Sequence, residues 1–358
     1  MPPLDLTATS ADLTRTICDI PSVSGDETVL ADLIHAAVGG LPHLEVYRDG
    51  DTIVARTQLG RAQRVVIAGH IDTVPINANV PTRDITEAGE AFIWGRGTVD
   101  MKAGVAVQLK LAAELSEPRI DITWMWYDHE EVDADLNGLT RLARTRPDLF
   151  AADFAILGEP SNGEVEGGCN GNLRAIVQTD GVRAHSARAW IGENAIHKAA
   201  PVLARLADYR PEAIEVEGLV YREGLNAVRI SGGVAGNVIP DLCEIEVNYR
   251  FAPSRDAAEA EAHVRDVFAG FDVEIVDVAL GARPGLDAPL AQEFVAAVRA
   301  EPRPKYGWTD VARFSALGVP AVNYGPGDPH FAHHDEERVP VWQIDAVEQG
   351  LRAWLSTS

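Results

Sequence analysis

Acidic and histidine side chains follow several apolar segments of this chain, and their types are those that bind metal ions. Glu130 and Glu131 come shortly after the apolar run 122–127. Two adjacent carboxylates beside a buried strand are costly unless a positive charge compensates them. Four further segments carry comparable side chains: His70 with Asp72, Asp100, Glu159, and the adjacent pair His333 and His334. Carboxylate and imidazole ligands suit Zn²⁺, Co²⁺ or Mn²⁺, so the pattern indicates a hydrolytic metalloenzyme.

Each of these segments also has a simpler interpretation when it is taken alone. His70 could be a structural histidine capped by Asp72, and Asp100 could be the N-cap of the helix that follows it. Glu130 and Glu131 could form the solvated end of a strand, Glu159 could be a turn residue, and the segment 332–335 could lie on the surface. The predicted strands, however, place these segments at one edge of a sheet, where ligands of α/β proteins bind. A shared metal site therefore explains all of them together.

Charge and composition exclude several classes of function. The chain has 31 basic and 54 acidic residues, a net charge of −23, which argues against nucleic acid or an anionic membrane as a partner. Cys18, Cys169 and Cys243 form no Cys-x-x-Cys pair and indicate no disulfide framework. The sequence shows neither a signal peptide nor a membrane-spanning stretch, so a cytoplasmic protein is expected.

The order of the predicted elements indicates two domains. A length of 358 residues with 46 % hydrophobic residues is enough for two cores. Strands alternate with helices in the first half, which predicts an α/β sheet covered on both faces. From about Leu173 the order is strand-helix-strand-strand-helix-strand, the ferredoxin-like α+β pattern. We therefore predict a discontinuous catalytic domain at 1–172 plus 286–358, with an inserted domain at 173–285.

These predictions rest on apolar periodicity and on turn residues. The predicted helices span 11–20, 27–38, 101–115, 136–146, 195–206, 256–269 and 290–300, and the predicted strands span 64–69, 120–128, 153–158, 173–179, 225–231, 244–251, 271–277 and 321–323.

Five motifs together resemble the di-zinc amidohydrolases, a family that includes aminoacylases, acetylornithine deacetylases and succinyl-diaminopimelate desuccinylases. They are Gly69-His-Ile-Asp-Thr-Val-Pro75, Gly95-Arg-Gly-Thr-Val-Asp-Met-Lys-Ala-Gly104, Asp128-His-Glu-Glu131, Gly158-Glu-Pro160, and Gly325-Pro-Gly327 with Ala332-His-His-Asp-Glu-Glu337. The motifs occur in the order that the family shows. The resemblance implies an α/β fold in which a mixed-sheet, zinc-peptidase-like catalytic domain carries an inserted dimerisation or lid domain.

The resemblance also implies a set of metal ligands. His70 and Glu159 would hold one ion, Glu131 and His333 would hold the second, and Asp100 would bridge both. Two Zn²⁺ per chain are expected, with Co²⁺ or Mn²⁺ as substitutes. A shared carboxylate also screens the repulsion between two cations held close together.

Two acidic residues would serve the reaction without binding metal. Asp72 would orient the imidazole ring of the metal ligand His70. Glu130 would stay unligated as the general base beside a metal-bridged hydroxide. Neighbouring residues of an extended strand point to opposite sides, so Glu130 and Glu131 can take different roles.

The inserted domain offers further candidates. The segment Gly181-Val-Arg-Ala-His185-Ser resembles a family motif, which implies that His185 crosses into the partner subunit's site and stabilises the oxyanion. A homodimer is then expected, because one chain's site would be incomplete. Asn226 and Asn237 match segments that hold polar groups of the substrate in the family.

Two arginines are candidate readers of a substrate carboxylate. The guanidinium groups of Arg250 and Arg313 could bind a carboxylate bidentately. For either arginine, a salt bridge to a local acidic residue is the alternative. The strongly negative chain makes such a local positive patch necessary if the substrate is an anionic N-acyl amino acid.

Within the family, the segment Gly168-Cys-Asn-Gly-Asn-Leu-Arg174 resembles the desuccinylases of actinobacterial type. That resemblance implies hydrolysis of N-succinyl-LL-2,6-diaminopimelate to succinate and LL-2,6-diaminopimelate, a reaction of lysine and cell-wall precursor synthesis. Acetylornithine deacetylase, N-acyl amino acid hydrolase and dipeptidase activities are alternatives from the same family. A non-catalytic, metal-dependent binding protein and a purely structural protein are alternatives from other classes.

Overall fold

The computed structural model describes residues 3–356. Its α-helices are α1 (Ser10–Cys18), α2 (Thr28–Gly39), α3 (Lys102–Glu114), α4 (Gly138–Thr145), α5 (Ala195–Lys198), α6 (Ala200–Asp208), α7 (Ala257–Val267), α8 (Pro289–Val298), α9 (Val311–Ala316) and α10 (Val341–Ser356). Short 3₁₀-helices span Pro147–Phe150, Ser186–Ile191 and Pro329–Phe331.

The strands include every strand that the sequence predicts, together with several shorter ones. They are β1 (Glu45–Asp49), β2 (Thr52–Arg56), β3 (Arg64–His70), β4 (Arg83–Glu87), β5 (Glu90–Trp94), β6 (Asp121–Tyr127), β7 (Phe154–Leu157), β8 (Glu166–Gly167), β9 (Gly171–Asp180), β10 (Ala184–His185), β11 (Ala213–Val216), β12 (Leu219–Arg222), β13 (Gly224–Gly232), β14 (Val238–Ile239), β15 (Leu242–Phe251), β16 (Asp272–Ala279), β17 (Arg303–Pro304), β18 (Ala321–Asn323) and β19 (Arg338–Pro340).

The chain forms two compact units. The first contains the residues up to Gly167, Pro284–Arg303 and the residues from Asp310 onward, and the second contains Gly168–Arg283 and Pro304–Thr309. The sequence places the domain boundaries at 172/173 and 285/286, and it assigns the short segment 304–309 to the catalytic domain. The roles predicted for the two domains stay predictions.

The first unit is built on an eight-stranded mixed sheet with the order β1-β2-β6-β3-β7-β18-β8-β17. The four central strands, β6, β3, β7 and β18, pair in parallel, whereas β1, β2 and β8 pair antiparallel. The side chains of the parallel strands are almost all buried, as expected for a sheet covered on both faces. This mixed sheet confirms the predicted fold class.

The parallel strands bring their carboxyl ends to one edge of the sheet. His70 ends β3, and the segment 128–131 follows β6, while Glu159 lies two residues beyond β7. Helix α3 packs against this edge and is buried almost all round over its first three turns. A Cβ atom on Gly104 would lie 2.2 Å from the backbone oxygen of Gly158, so only glycine allows the helix to approach the end of β7 so closely.

A three-stranded sheet, in the order β19-β5-β4, positions the remaining part of this edge. β19 pairs antiparallel with β5, and Arg338 lies opposite Trp94. The turn that leaves β5 towards Asp100 therefore runs beside the segment that leads into β19. That segment carries His333, so two distant parts of the sequence become neighbours.

The second unit has a four-stranded antiparallel sheet in the order β13-β15-β9-β16. With α6 after β9 and α7 before β16, this is the ferredoxin-like order that the sequence predicts. The predicted helix 195–206 is two helices, α5 and α6, because Pro201 lacks the N–H that a continuous helix would need. None of the described helices is both long enough and apolar enough to cross a membrane.

Candidate metal centre

His70 lies almost fully buried at the end of β3. Its Nδ1 atom is 3.1 Å from the backbone oxygen of Asp72 and 3.4 Å from Asp72 Oδ1. Its other ring nitrogen, Nε2, faces Asp100 Oδ1 at 3.0 Å. Burial by itself would lower the pKa of His70, but hydrogen bonds with Asp100 and Asp72 raise the pKa well above its ordinary value. The surroundings of Nε2 therefore favour a positive charge.

Asp72 is fully buried and joins His70 to the segment that carries the two glutamates. Its Oδ1 accepts a hydrogen bond from Glu130 N at 3.1 Å, and its Oδ2 accepts from Glu131 N at 3.1 Å. The Ser24 hydroxyl donates to the same Oδ2 at 2.6 Å. Burial opposes ionisation, but hydrogen bonds from His70 and Ser24 lower the pKa of Asp72 to about 2. One ionised carboxylate thus orients both the imidazole and the backbone of the glutamate pair.

Asp100 lies between two histidines. Its Oδ1 is 3.0 Å from His70 Nε2, and its Oδ2 is 3.4 Å from His333 Nε2. Burial opposes ionisation, but hydrogen bonds with both imidazoles lower the pKa of Asp100 well below its ordinary value. The carboxylate therefore presents one oxygen to each histidine, which is the arrangement that a bridging ligand needs.

Glu131 and Glu159 complete two groups around Asp100. Glu131 Oε1 is 3.0 Å from His333 Nε2, and Glu159 Oε1 is 3.9 Å from His70 Nε2. Candidate ligand atoms of His70, Asp100 and Glu131 all lie within 4.8 Å of one another. The structure thus brings together all five residues that the sequence suggests as metal ligands. Their assignment to particular ions is a proposal.

The residues present fit a divalent metal site. Within residues 3–356, neither Asp100 nor Glu131 forms an ion pair with a lysine or an arginine, and histidine is their ionic partner. Hydrogen bonds with Asp100 and then Glu131 raise the pKa of His333 to about 10, although burial opposes this. Two imidazoles facing three carboxylates in a space of a few ångström are typical of a site for cations such as Zn²⁺, Co²⁺ or Mn²⁺.

Glu130 lies beside the five candidate ligands without an ion-pair partner among the described residues. Burial raises the pKa of Glu130 well above its ordinary value; His70 opposes this shift, while the charges of Asp310 and Glu159 reinforce it. A carboxylate with raised proton affinity suits a group that must take up and release a proton near neutral pH. The contrast with Glu131, which faces His333, agrees with different roles for the two neighbours.

Asp310 is a neighbour of this cluster that sequence reasoning did not assign. Its Oδ2 accepts a hydrogen bond from Asn137 Nδ2 at 3.0 Å, and its Oδ1 accepts from Arg313 Nε. Arg313 also donates to the Thr140 hydroxyl. The guanidinium of Arg313 is therefore engaged by an acid three residues earlier, which is the local salt bridge named above as the alternative. The spacing of Asp310 and Arg313 was the available signal for this pair.

His185 and Asn237 lie side by side in the second unit. His185 is in β10 opposite Val238 of β14, and Ser186 N donates to the backbone oxygen of Asn237 at 2.9 Å. The imidazole is exposed, and its Nδ1 accepts a hydrogen bond from Ala187 N at 3.1 Å. Asn237 is exposed as well, so its side chain and the Nε2 side of the His185 imidazole can meet a ligand or a second chain.

Arg250 and Asn226 share one face of the second unit's sheet. Asn226 of β13 lies opposite Asn248 of β15, and Asn248 Oδ1 accepts a hydrogen bond from Arg250 Nε at 3.1 Å. Asn248 in turn donates to Asn172 Oδ1 at 2.7 Å. Desolvation lowers the pKa of Arg250, which forms no ion pair with an acidic residue among the described residues. This half-buried guanidinium is a stronger candidate for binding an anion than Arg313.

Comparison with known proteins places these features in a family. The model of peptidase family M20/M25/M40 matches residues 66–357. A succinyl-diaminopimelate desuccinylase of Corynebacterium glutamicum is 47 % identical, over 99 % of this chain and 98 % of that protein. A Mycobacterium tuberculosis protein that carries the same name provisionally, with the label DapE, is 52 % identical over 98 % of this chain and 99 % of its own length.

Solved structures show the same fold at low sequence identity. A tripeptidase from Staphylococcus aureus has a TM-score of 0.78 at 20 % identity, covering 98 % of each chain. The Bacillus subtilis YXEP protein, described as a dinuclear metal binding peptidase, has a TM-score of 0.68 at 15 % identity, covering 97 % of this chain and 96 % of that one. From the match over residues 66–357 and the two full-length relatives, the chain belongs to peptidase family M20/M25/M40.

Proposed function

We propose that the chain is a homodimeric di-zinc amide hydrolase that converts N-succinyl-LL-2,6-diaminopimelate to succinate and LL-2,6-diaminopimelate. The observation that carries this proposal is the position of Asp100, with one carboxylate oxygen towards His70 and the other towards His333. The full-length similarity to proteins named for this reaction supports the choice of substrate.

Two ions would divide the five ligands between them. His70 and Glu159 would hold one ion, Glu131 and His333 the other, and Asp100 both, which agrees with the pairs of short distances. Bound there, two divalent cations would supply Lewis acidity, polarising the amide carbonyl and lowering the pKa of water. Zn²⁺ is the proposed ion, because a mixed nitrogen and oxygen ligand set suits it.

Glu130 would move the proton that hydrolysis requires. The reaction breaks the amide C–N bond, adds the oxygen of water to the acyl carbon and transfers a proton to the leaving nitrogen. A carboxylate whose pKa is raised by burial can accept a proton from the attacking water and return it to the amine. Asp72 would keep Glu130 in place, since its Oδ1 accepts the backbone N–H of that residue.

Arg250 would bind a carboxylate of the substrate. Its Nε donates to Asn248 Oδ1, which leaves the outer edge of the guanidinium for a bidentate contact. Asn226 and Asn237 are proposed partners for polar groups of the substrate, and Arg313 remains a weaker candidate because Asp310 already accepts from its Nε. A fixed guanidinium would supply a local positive charge for the substrate carboxylate, in a chain whose net charge of −23 repels anions at long range.

The second unit offers a surface for dimerisation. β13 is an edge strand, and its residues Val228 and Ile230 are 58 and 50 % exposed. Leu203 on the neighbouring helix α6 is also exposed. An edge strand with exposed apolar side chains favours pairing with another chain. We infer a dimer through this face, in which His185 of each chain serves the metal centre of the partner.

Mixed dimers test the shared site. Neither Glu130→Gln nor His185→Ala homodimers would be active, but a mixed dimer would contain one site with both Glu130 and a partner's His185. Co-expression at equal amounts would therefore restore about a quarter of wild-type activity, because half of the dimers are mixed and each has one complete site. Absence of any restored activity would overturn the proposal that His185 acts in the partner's site.

A parallel assay tests the substrate. Initial rates of hydrolysis are compared for N-succinyl-LL-2,6-diaminopimelate and N-acetylornithine, with metal-stripped protein as the control. We expect kcat/KM to favour the succinyl substrate and activity to return when Zn²⁺ is added. Equal or reversed preference would refute the desuccinylase assignment while leaving the amide hydrolase intact, and full activity without metal would refute both.

A further inference from the structure

Glu337 is a fully buried carboxylate that the proposed reaction does not use. Its Oε1 accepts hydrogen bonds from the backbone N–H groups of Val99 at 2.9 Å and Asp100 at 3.0 Å. Its Oε2 accepts from Arg96 Nη1 at 2.7 Å. Both oxygens are therefore occupied by donors of the turn that leads to Asp100, so Glu337 is not a further metal ligand.

Arg96 connects the same turn to the segment that carries His333. Its guanidinium is almost fully buried, and Nη1 also reaches the backbone oxygen of His334 at 3.4 Å. The backbone repeats this connection, since Gly95 N donates to Glu337 O at 2.9 Å and Glu337 N donates to His334 O at 3.3 Å. The pair Arg96–Glu337 thus fastens the Asp100 turn to the His333 segment.

The position of His333 depends on the Arg96–Glu337 pair more than the position of His70 does. His70 is buried at the end of a central strand and is held by Asp72. The side chain of His333 is 54 % exposed, and its backbone is in the left-handed region at φ 63°. A non-glycine residue keeps that conformation only when its surroundings impose it.

Stability alone does not explain a buried ion pair at this place. Replacing such a pair by apolar side chains of similar volume is often neutral or stabilising. Apolar side chains, however, cannot accept two adjacent backbone N–H groups. The contacts of Glu337 therefore specify the position of the Asp100 turn rather than contribute mainly to folding.

We propose that the Arg96–Glu337 pair sets the separation of Asp100 and His333 and so determines the affinity of the second metal position, formed by Glu131, His333 and Asp100. This inference rests on the two-ion function proposed above. Both residues are positioning residues, because they act through Asp100 and His333 and not on the substrate. The first metal position would be formed by His70, Glu159 and Asp100. Because β3 and β7 hold His70 and Glu159, this position depends less on the Arg96–Glu337 pair.

The test is a metal titration of chelator-stripped protein by calorimetry with Zn²⁺ and, for its visible spectrum, Co²⁺. In Glu337→Gln the amide keeps one acceptor oxygen, but its NH₂ group has two donors. These donors would face either the backbone N–H groups of Val99 and Asp100 or the guanidinium of Arg96, which are donors themselves. We expect the second ion to bind about 10- to 100-fold more weakly, the usual effect of losing a residue that orients a ligand. We expect the first ion to bind nearly as in the wild type. Arg96→Lys keeps the positive charge but lacks the planar guanidinium, and it is expected to weaken binding of the second ion as well. This variant replaces Glu337→Gln in the test if Glu337→Gln does not fold.

Asp121→Asn is the matched control. The Asp121 carboxylate also accepts two backbone N–H groups, those of Leu59 and Arg61, each at 2.9 Å, and lies 3.6 Å from Arg64. Its position at the start of β6 is the end of the strand opposite the metal centre. This variant is expected to lower the free energy of unfolding while both ions bind as in the wild type.

The outcomes separate the proposals. Selective loss of the second ion in Glu337→Gln, with both ions retained in Asp121→Asn, supports the positioning role. Two ions bound with wild-type affinities in Glu337→Gln, or equal weakening of both ions, overturns it. A wild-type protein that binds fewer than two ions refutes the two-ion function itself, and the positioning role with it.

Discussion

Gly104→Ala tests the close approach between α3 and the end of β7. The new Cβ would lie 2.2 Å from the backbone oxygen of Gly158 and 3.0 Å from its carbonyl carbon. To restore an ordinary contact of 3.4 Å, helix and strand end must separate by about 1 Å. Backbone atoms cannot rotate away as a flexible side chain can, so the cost falls near the upper end of the range for overpacking, about 3 kcal/mol.

The alanine also stabilises the helix, and this gain in stability must be subtracted from the cost of overpacking. Alanine favours the helical conformation over glycine by about 1 kcal/mol. The net expectation is a loss of about 2 kcal/mol in the free energy of unfolding. The displacement also reaches the candidate metal centre, since Asp100 lies two residues before the start of α3 and Glu159 follows Gly158. A misplacement of about 1 Å is expected to lower kcat/KM about 100-fold.

The assays are urea unfolding of metal-free protein followed by tryptophan fluorescence, and steady-state hydrolysis at saturating Zn²⁺. Gly39→Ala is the control, because Gly39 ends α2 and a Cβ there would have no atom within 4 Å. We expect that variant to be more stable by about 0.5 kcal/mol and fully active. Wild-type stability and activity in Gly104→Ala would refute the argument that this contact positions the two ligands.

Three further predictions concern the proposed roles of single side chains. Glu130→Gln is expected to lower kcat by about 10²- to 10⁴-fold while elemental analysis still finds two ions, and loss of an ion would show that Glu130 is a ligand. His185→Ala is expected to lose turnover and keep both ions, so full activity would argue against an oxyanion role. Arg250→Gln is expected to raise KM for the succinyl substrate by about 10- to 100-fold, since it removes a charge-assisted hydrogen bond, and an unchanged KM would exclude Arg250 as the carboxylate reader.

The elements that hold the site could be predicted from the sequence because their patterns are strong. β3, β6 and β7 are short apolar runs that end in polar residues, and parallel strands place such ends at one edge. The five candidate ligands then come together as expected. The division into α5 and α6 could also have been predicted from the sequence, since Pro201 cannot occupy a helix interior.

Other elements carry weaker signals. β4, with the sequence Arg-Asp-Ile-Thr-Glu, is mostly exposed and lacks an apolar alternation, so nothing marks it as a strand until β5 pairs with it. Helix α10 had a usable signal in Ile344, Val347, Leu351 and Trp354, which recur at helical spacing and are buried.

The Arg96–Glu337 pair shows why parts of the site are hidden from sequence reasoning. Its two residues are far apart in the chain, and charged residues in a motif suggest a surface or a ligand, not a buried pair. Only the pairing of β5 with β19 reveals that they meet. The same is true of Ser24, whose bond to Asp72 depends on a loop that approaches β3 from elsewhere.

The place of β18 in the main sheet has a consequence for biosynthesis. β18 lies between β7 and β8, yet the ribosome makes the whole second unit before it. Until residue 323 has emerged, both neighbours carry unsatisfied backbone groups along an open ladder, a state that favours association between nascent chains. His333 emerges later still, so a chain that terminates before it would leave this ladder open and would lack one of the proposed metal ligands.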